Sequence, residues 1–119
     1  MVARSGRIYD PPRSNDGARI LVDRLWPRGV SKEAAALDWW CRAVAPSNEL
    51  RKWYKHDPAK FDEFLARFRR ELTESERAEA LGELVRWGAS GDVLLLTATK
   101  AVEISHAAVL AEMLNDAPS

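Results

Sequence analysis

Apolar positions along the chain fall into two short consecutive runs and several sets spaced for helices. Residues 18–25, Ala-Arg-Ile-Leu-Val-Asp-Arg-Leu, predict a strand built on Ile20-Leu21-Val22. Val93-Leu94-Leu95-Leu96 is wholly apolar, which fits a strand buried on both faces, and Ser90-Gly91-Asp92 supplies the turn into it. Residues 7–9 read as a further short strand and residues 38–44 as another, on the alternation of Trp39, Cys41 and Ala43 with Trp40, Arg42 and Val44. Residues 10–17 are a polar loop, because Pro11 and Pro12 withhold donors and Asp16-Gly17 favours a turn.

Helical spacing governs most of the remainder. Ser31 can cap a helix over 32–37 and Ser47 one that runs through Tyr54, each hydroxyl accepting from a free first-turn amide. Asp57-Pro58 joins a capping acceptor to a proline whose missing N–H costs nothing at a helix start. Beyond it Phe61, Phe64, Leu65, Phe68 and Leu72 share one face, and Phe61, Phe64, Leu65 and Phe68 are expected to pack inward with no ligand role. Ala78, Leu81, Leu84 and Val85 form a second amphipathic set, ended by Gly88, and a last helix covers roughly 103–115. This order predicts an α/β fold: a single domain over 1–119 with a small, mostly parallel sheet flanked by helices.

In an open parallel sheet, ligands sit beyond the carboxyl ends of the strands. Two loops qualify. One is Asp23–Lys32, whose first residues, Asp23-Arg24-Leu25-Trp26-Pro27-Arg28-Gly29, place two guanidinium groups, a carboxylate and an indole directly after a strand. The other is Thr97-Ala98-Thr99-Lys100, and each runs into a helix start, where free amides favour an anion.

Charge sharpens this picture. Formal net charge is zero, which argues against a dedicated binder of duplex nucleic acid. Yet residues 1–32 hold seven Arg or Lys against three Asp, so the basic surplus coincides with the first loop. One cysteine, Cys41, excludes an internal disulfide and a Cys-based zinc cluster. With no neighbouring base it is read as a small apolar residue rather than a nucleophile. His56 and His106 lie far apart with no ligand-like acidic spacing, so no metal site is expected. Nothing matches a P-loop or dinucleotide fingerprint, and no cofactor is expected. No apolar leader or long uncharged span is visible, so a cytoplasmic location without a membrane is expected.

The candidate ligand-binding residues are Arg19, Arg24, Trp26, Arg28 and Lys100: cations for a phosphate or carboxylate, and an indole to stack on a planar group. Asp23 and His106 are the acid–base candidates, Asp23 also serving to orient guanidinium groups. Each has a structural alternative: Asp23 and Arg24 as an ion pair at a strand end, Arg19 and Arg28 laid over aromatic faces. Ser47 with Arg51 can hold an anion, but capping is the simpler role, and His56 reads as a solvent-facing helix entry.

The segments YDPP, DGARILVDRLWPRGVSK, APSNELRKWYKHDP and VLLLTATKAVEISHAAVL carry a resemblance covering nearly the whole chain. Through them the chain resembles the YeaO-like bacterial proteins, a family of domains of unknown function. The resemblance implies an α/β fold and brings no established substrate. Lys100 and His106 match its pattern. Three positions depart from it: Thr97 where the pattern often has Tyr, Ala101 where it has an acidic or amide residue, and Ser105 where it has Asn. Two functions remain open on sequence. One is binding of a small anionic, phosphate- or nucleotide-like ligand, with the reaction unknown. The other is a non-catalytic module for protein or single-stranded nucleic acid, which would show a broad open groove instead of a pocket.

Overall fold

A computed structural model describes residues 2–117. Four strands, β1 (Ala3–Arg7), β2 (Ala18–Leu21), β3 (Trp39–Trp40) and β4 (Val93–Thr97), form one sheet in the order β1-β4-β2-β3, parallel throughout. The helices are α1 (Lys32–Ala35), α2 (Asn48–Tyr54), α3 (Phe61–Glu71), α4 (Ser75–Ser90) and α5 (His106–Asp116). The two apolar strands pair directly and in parallel, with Ala18 to Leu21 in register with Val93 to Leu96.

The last strand in sequence takes the centre of the sheet, and its composition explains why. Alternate residues of β4 face different layers. Val93 and Leu95 join Ile20 and Val22 in a core shared with Leu50, Phe64, Phe68, Leu84 and Leu110 from the helices. Leu96, with Leu21, Ile8 and Ala35, forms a smaller cluster under Trp26, Val30, Leu37 and Trp40 on the opposite face. Only a strand that is apolar on both faces can fill that position.

Several elements differ from the sequence reading. The first strand is residues 3–7 rather than 7–9. Its Ala-Arg-Ser-Gly-Arg has no apolar alternation and is held by ladder pairing to β4 and by Asn115, which bonds both backbone groups of Ala3 at 2.8 and 2.9 Å. β2 ends at Leu21 with one more ladder bond, Val22 N–H to Leu96 O at 3.0 Å, because Asp23 then turns toward β4. Within 38–44 only Trp39–Trp40 is a strand, and Arg42–Val44 is a 3-10 turn. Gly88 lies inside α4 facing Leu114, and the helix continues to Ser90.

Capping follows the predicted residues. Ser31 accepts from Ala34 N, Ser47 from Leu50 N, and Asp57 from Ala59 N at a 3-10 turn leading into α3. No helix among the described residues is long and apolar enough to cross a membrane.

Candidate functional site

Parallel strands deliver their carboxyl ends to one edge, so the segments after β1, β2 and β4 meet there. They enclose a cleft of about 460 Å³, lined by Tyr9, by residues 23–28 and by residues 97–99. The rest of the lining comes from Ala45-Pro46, from Arg51, Lys52, Tyr54, Lys55 and His56 on and beyond α2, from Phe64 and from His106.

Asp23 ties the two strand ends together. Thr97 Oγ1 donates to its Oδ1 at 2.7 Å, Ala98 N–H donates to its Oδ2 at 2.8 Å, and His106 Nε2 stands 3.2 Å from Oδ1. Burial alone would push this carboxyl up. The hydrogen bond of His106 and, when that ring is protonated, its charge, with the bonds from Ala98 and Thr97, outweigh it and hold Asp23 below the ordinary carboxylate value. The alternative in which Asp23 pairs with Arg24 is not what the structure contains, since the carboxylate reaches across to the other loop instead.

Two indoles staple the loop that follows. Trp40 Nε1 donates to Asp23 O, and Trp26 Nε1 donates to Val30 O, both at 2.7 Å. The two rings meet edge to face, 5.3 Å between centroids. Trp26 therefore presents a fixed aromatic surface at the cleft, with its one polar atom already satisfied. Arg24 and Arg28 follow Asp23 on this loop, both exposed and both lining the cleft.

Arg19 and Lys100 stand elsewhere. Arg19 is buried below α1. Its Nη1 pairs with Asp16 at 2.7 Å, and Nε and Nη2 donate to Ala35 O at 3.1 and 2.9 Å. It sits within the body of β2, where a buried charge needs partners, and it takes no part in the cleft. Lys100 is exposed and outside the lining.

The structure adds residues that the sequence reading did not place at the site. Arg51, Lys52, Lys55 and His56 line the same cleft as the two loop arginines. Lys55 and His56 both adopt left-handed backbone, φ +48° and +53°, ending α2 and turning the chain along the rim. Such conformations are costly for residues with a Cβ and gather at functional sites. Burial, and the charge of His106 when that ring is protonated, lower the affinity of His56 for a proton, while Asp23 opposes them. Cations in the last turn of a helix are favoured by its dipole, so the sequence signal of Arg51, Lys52 and Lys55 looks like ordinary capping. Phe64 packs inward as expected, stacked 4.0 Å from Tyr54, but it also forms cleft wall.

Arg24, Arg28, Arg51, Lys52 and Lys55 thus surround one cleft, and none makes an ion pair among the described residues. No group of three or more His, Cys, Asp or Glu among those residues is arranged to hold a metal.

Comparison with known proteins places the chain. An uncharacterized protein of Mycobacterium tuberculosis is 47% identical over 112 residues, which is 94% of this chain and 92% of the relative. Uncharacterized protein YeaO of Escherichia coli is 38% identical over 109 residues, 91% of this chain and 92% of the relative. No solved structure matches the chain. Residues 3–119 match the family described as "Inactive DUF488-N3 subclade". The chain belongs to that family and is a homologue of YeaO.

Proposed function

We propose that the cleft binds a small anionic molecule of phosphate or nucleotide type. One observation carries the reading: five cations without ion-pair partners ring a cavity at the carboxyl edge of a parallel sheet, and the one carboxylate lining it is bonded within the protein. The volume of about 460 Å³ suits a small molecule. Arg24 and Arg28 on one side and Arg51, Lys52 and Lys55 on the other hold the charge. Trp26 gives a planar group a surface to lie on. A docking surface for protein or single-stranded nucleic acid would instead distribute its cations along an open groove. The word "inactive" in the subclade description agrees with a role in binding rather than turnover.

The test is a paired measurement on Arg28→Ala. Arg28 is exposed and its side chain makes no hydrogen bond or ion pair among the described residues, so stability should change by less than about 0.5 kcal/mol. Loss of one charge-assisted hydrogen bond, about 1.5–3 kcal/mol, should weaken binding of phosphate or a nucleoside monophosphate by roughly tenfold or more. Calorimetry showing unchanged affinity, together with a large loss of stability, would make residues 22–29 a structural clasp and remove the proposal.

A further inference from the structure

The surroundings of His106 decide which ring nitrogen meets a ligand. Nε2 lies 3.0 Å from Val22 O and 3.2 Å from Asp23 Oδ1. Both oxygens are acceptors, so a bare lone pair at Nε2 would be repelled twice. The proton of the neutral ring is therefore assigned to Nε2. Nδ1 has no hydrogen-bond partner among the described residues. Arg7 Nε is the one side-chain polar atom there that is both fully buried and unpartnered, so solvent reaches Nδ1. The side chain of His106 is only 11% exposed and it lines the cleft, which makes the cleft the opening onto which Nδ1 faces.

We infer that His106 is a ligand-binding residue that couples anion binding to the uptake of one proton at Nδ1, with Asp23 as its positioning residue. This rests on the reading of the cleft as an anion site. In the neutral ring Nδ1 presents a lone pair, which repels an incoming anion. In the imidazolium form it presents an N–H donor and a positive charge. An anion in the cleft binds the second form better, and the proton comes from solvent. Asp23 compensates the new charge from the far side of the ring while keeping Nε2 bonded in both states.

The charged and titratable groups around His106 come from two directions. The loops after β1 and β2 bring Tyr9, Asp23, Arg24 and Arg28, and α2 with its exit brings Arg51, Lys52, Tyr54, Lys55 and His56. α3 contributes only Phe64 and Phe68, the latter edge-on to the imidazole at 6.2 Å, and the loop after β4 contributes residues 97–99 without an ionisable side chain. His56 is the second histidine of the cleft, and it needs its own control.

Sulfate is the suitable probe, because it remains a dianion across the range in which histidine titrates and brings no proton of its own. The chain has two histidines, so long-range nitrogen–proton NMR spectra of protein labelled with 15N-histidine contain two rings, assigned with His56→Gln. Without sulfate the neutral His106 ring should show the Nε2–H tautomer. At saturation both nitrogens should be protonated, and the change should persist in the His56→Gln background. Sulfate affinity, followed by calorimetry, should fall as pH rises, by at most about tenfold per unit for one linked proton. An Nδ1–H tautomer, or sulfate binding that leaves the His106 signals unchanged, overturns the inference while leaving the anion site standing. Absence of sulfate binding at every pH removes both.

Discussion

Replacing Asp23 with Asn removes one charge at almost constant shape, and its cost can be worked from three contacts. The carboxylate accepts from Thr97 Oγ1 and Ala98 N–H and faces His106 Nε2–H. An amide has one acceptor oxygen. With that oxygen on Ala98 N–H, the NH₂ group faces a hydroxyl, which can rotate and accept, and an imidazole N–H, which cannot. The variant therefore loses charge assistance in the bond from Ala98 and gains a donor–donor contact. The Asp23 side chain is 17% exposed, so water relieves little of this. Hydrogen bonds to charged groups contribute about 1.5–3 kcal/mol and the desolvated charge returns part of that, so a net loss of about 2–4 kcal/mol is expected at neutral pH. The pH dependence is the sharper test. A carboxyl held below its ordinary value in the folded state stabilises fully above the unfolded-state value of about 4. That contribution is lost as pH falls through the folded value. Urea unfolding of both proteins at neutral pH and near pH 3 should show a gap that closes in acid. A gap under about 0.5 kcal/mol at neutral pH, or one that does not change with pH, would refute the clasp.

Three further outcomes follow from the packing. Phe64→Ala removes a 1% exposed ring stacked between Tyr54 and Phe68, and chemical denaturation should show a loss of about 3–5 kcal/mol, with under about 1 kcal/mol contradicting the burial. Gly17→Ala should cost about 2 kcal/mol or more, because φ is +74° and the new Cβ would stand 2.3 Å from Asp92 O; a thermal midpoint equal to the parent would show that the turn relaxes freely. Burial pushes the Cys41 thiol up to about 12, so iodoacetamide should modify it slowly in the native protein and rapidly after unfolding, and fast native labelling would place it at the surface.

The features legible in the sequence are those whose cause is local. Ser31, Ser47 and Asp57 cap as read, because capping joins residues two or three apart. β4 was legible as a doubly buried strand because four apolar residues in a row have few other uses. β1 was not, since Ala3 to Arg7 become a strand only when β4 offers an edge. The site divides in the same way. The loop after β2 declares itself through the density of Asp23, Arg24, Trp26 and Arg28. Lys55 and His56 enter only through the folding of α2 over the sheet edge, a long-range event with no local pattern. Arg19 and Arg28 show the limit most directly: both are arginines of the basic N-terminal third. Arg19 lies within the strand and must be neutralised by Asp16, whereas Arg28 lies beyond the strand end and is left unpaired.

The same geometry ranks the three positions at which the resemblance implies a departure from the YeaO-like pattern. Ser105 caps α5 by accepting from Ala108 N, and asparagine is as good an N-cap, so this change leaves the helix start that carries His106 intact. Ala101 precedes the 3-10 turn at Val102–Ile104 without a side-chain cap, a place where an acidic or amide residue would add one. Its effect is on the stability of that turn. Thr97 is different in kind. It is 1% exposed at the end of the central strand, and its hydroxyl reaches Asp23 at 2.7 Å. A tyrosine carries its hydroxyl at the far end of a ring and cannot make that bond from the same backbone. The ring would have to enter the space that the cleft occupies. Thr97 therefore does two things at once: it completes the clasp on Asp23, and it leaves the cavity beside Trp26 open. A Thr97→Tyr variant would test both through one substitution, since it should weaken the clasp and fill the proposed anion site together.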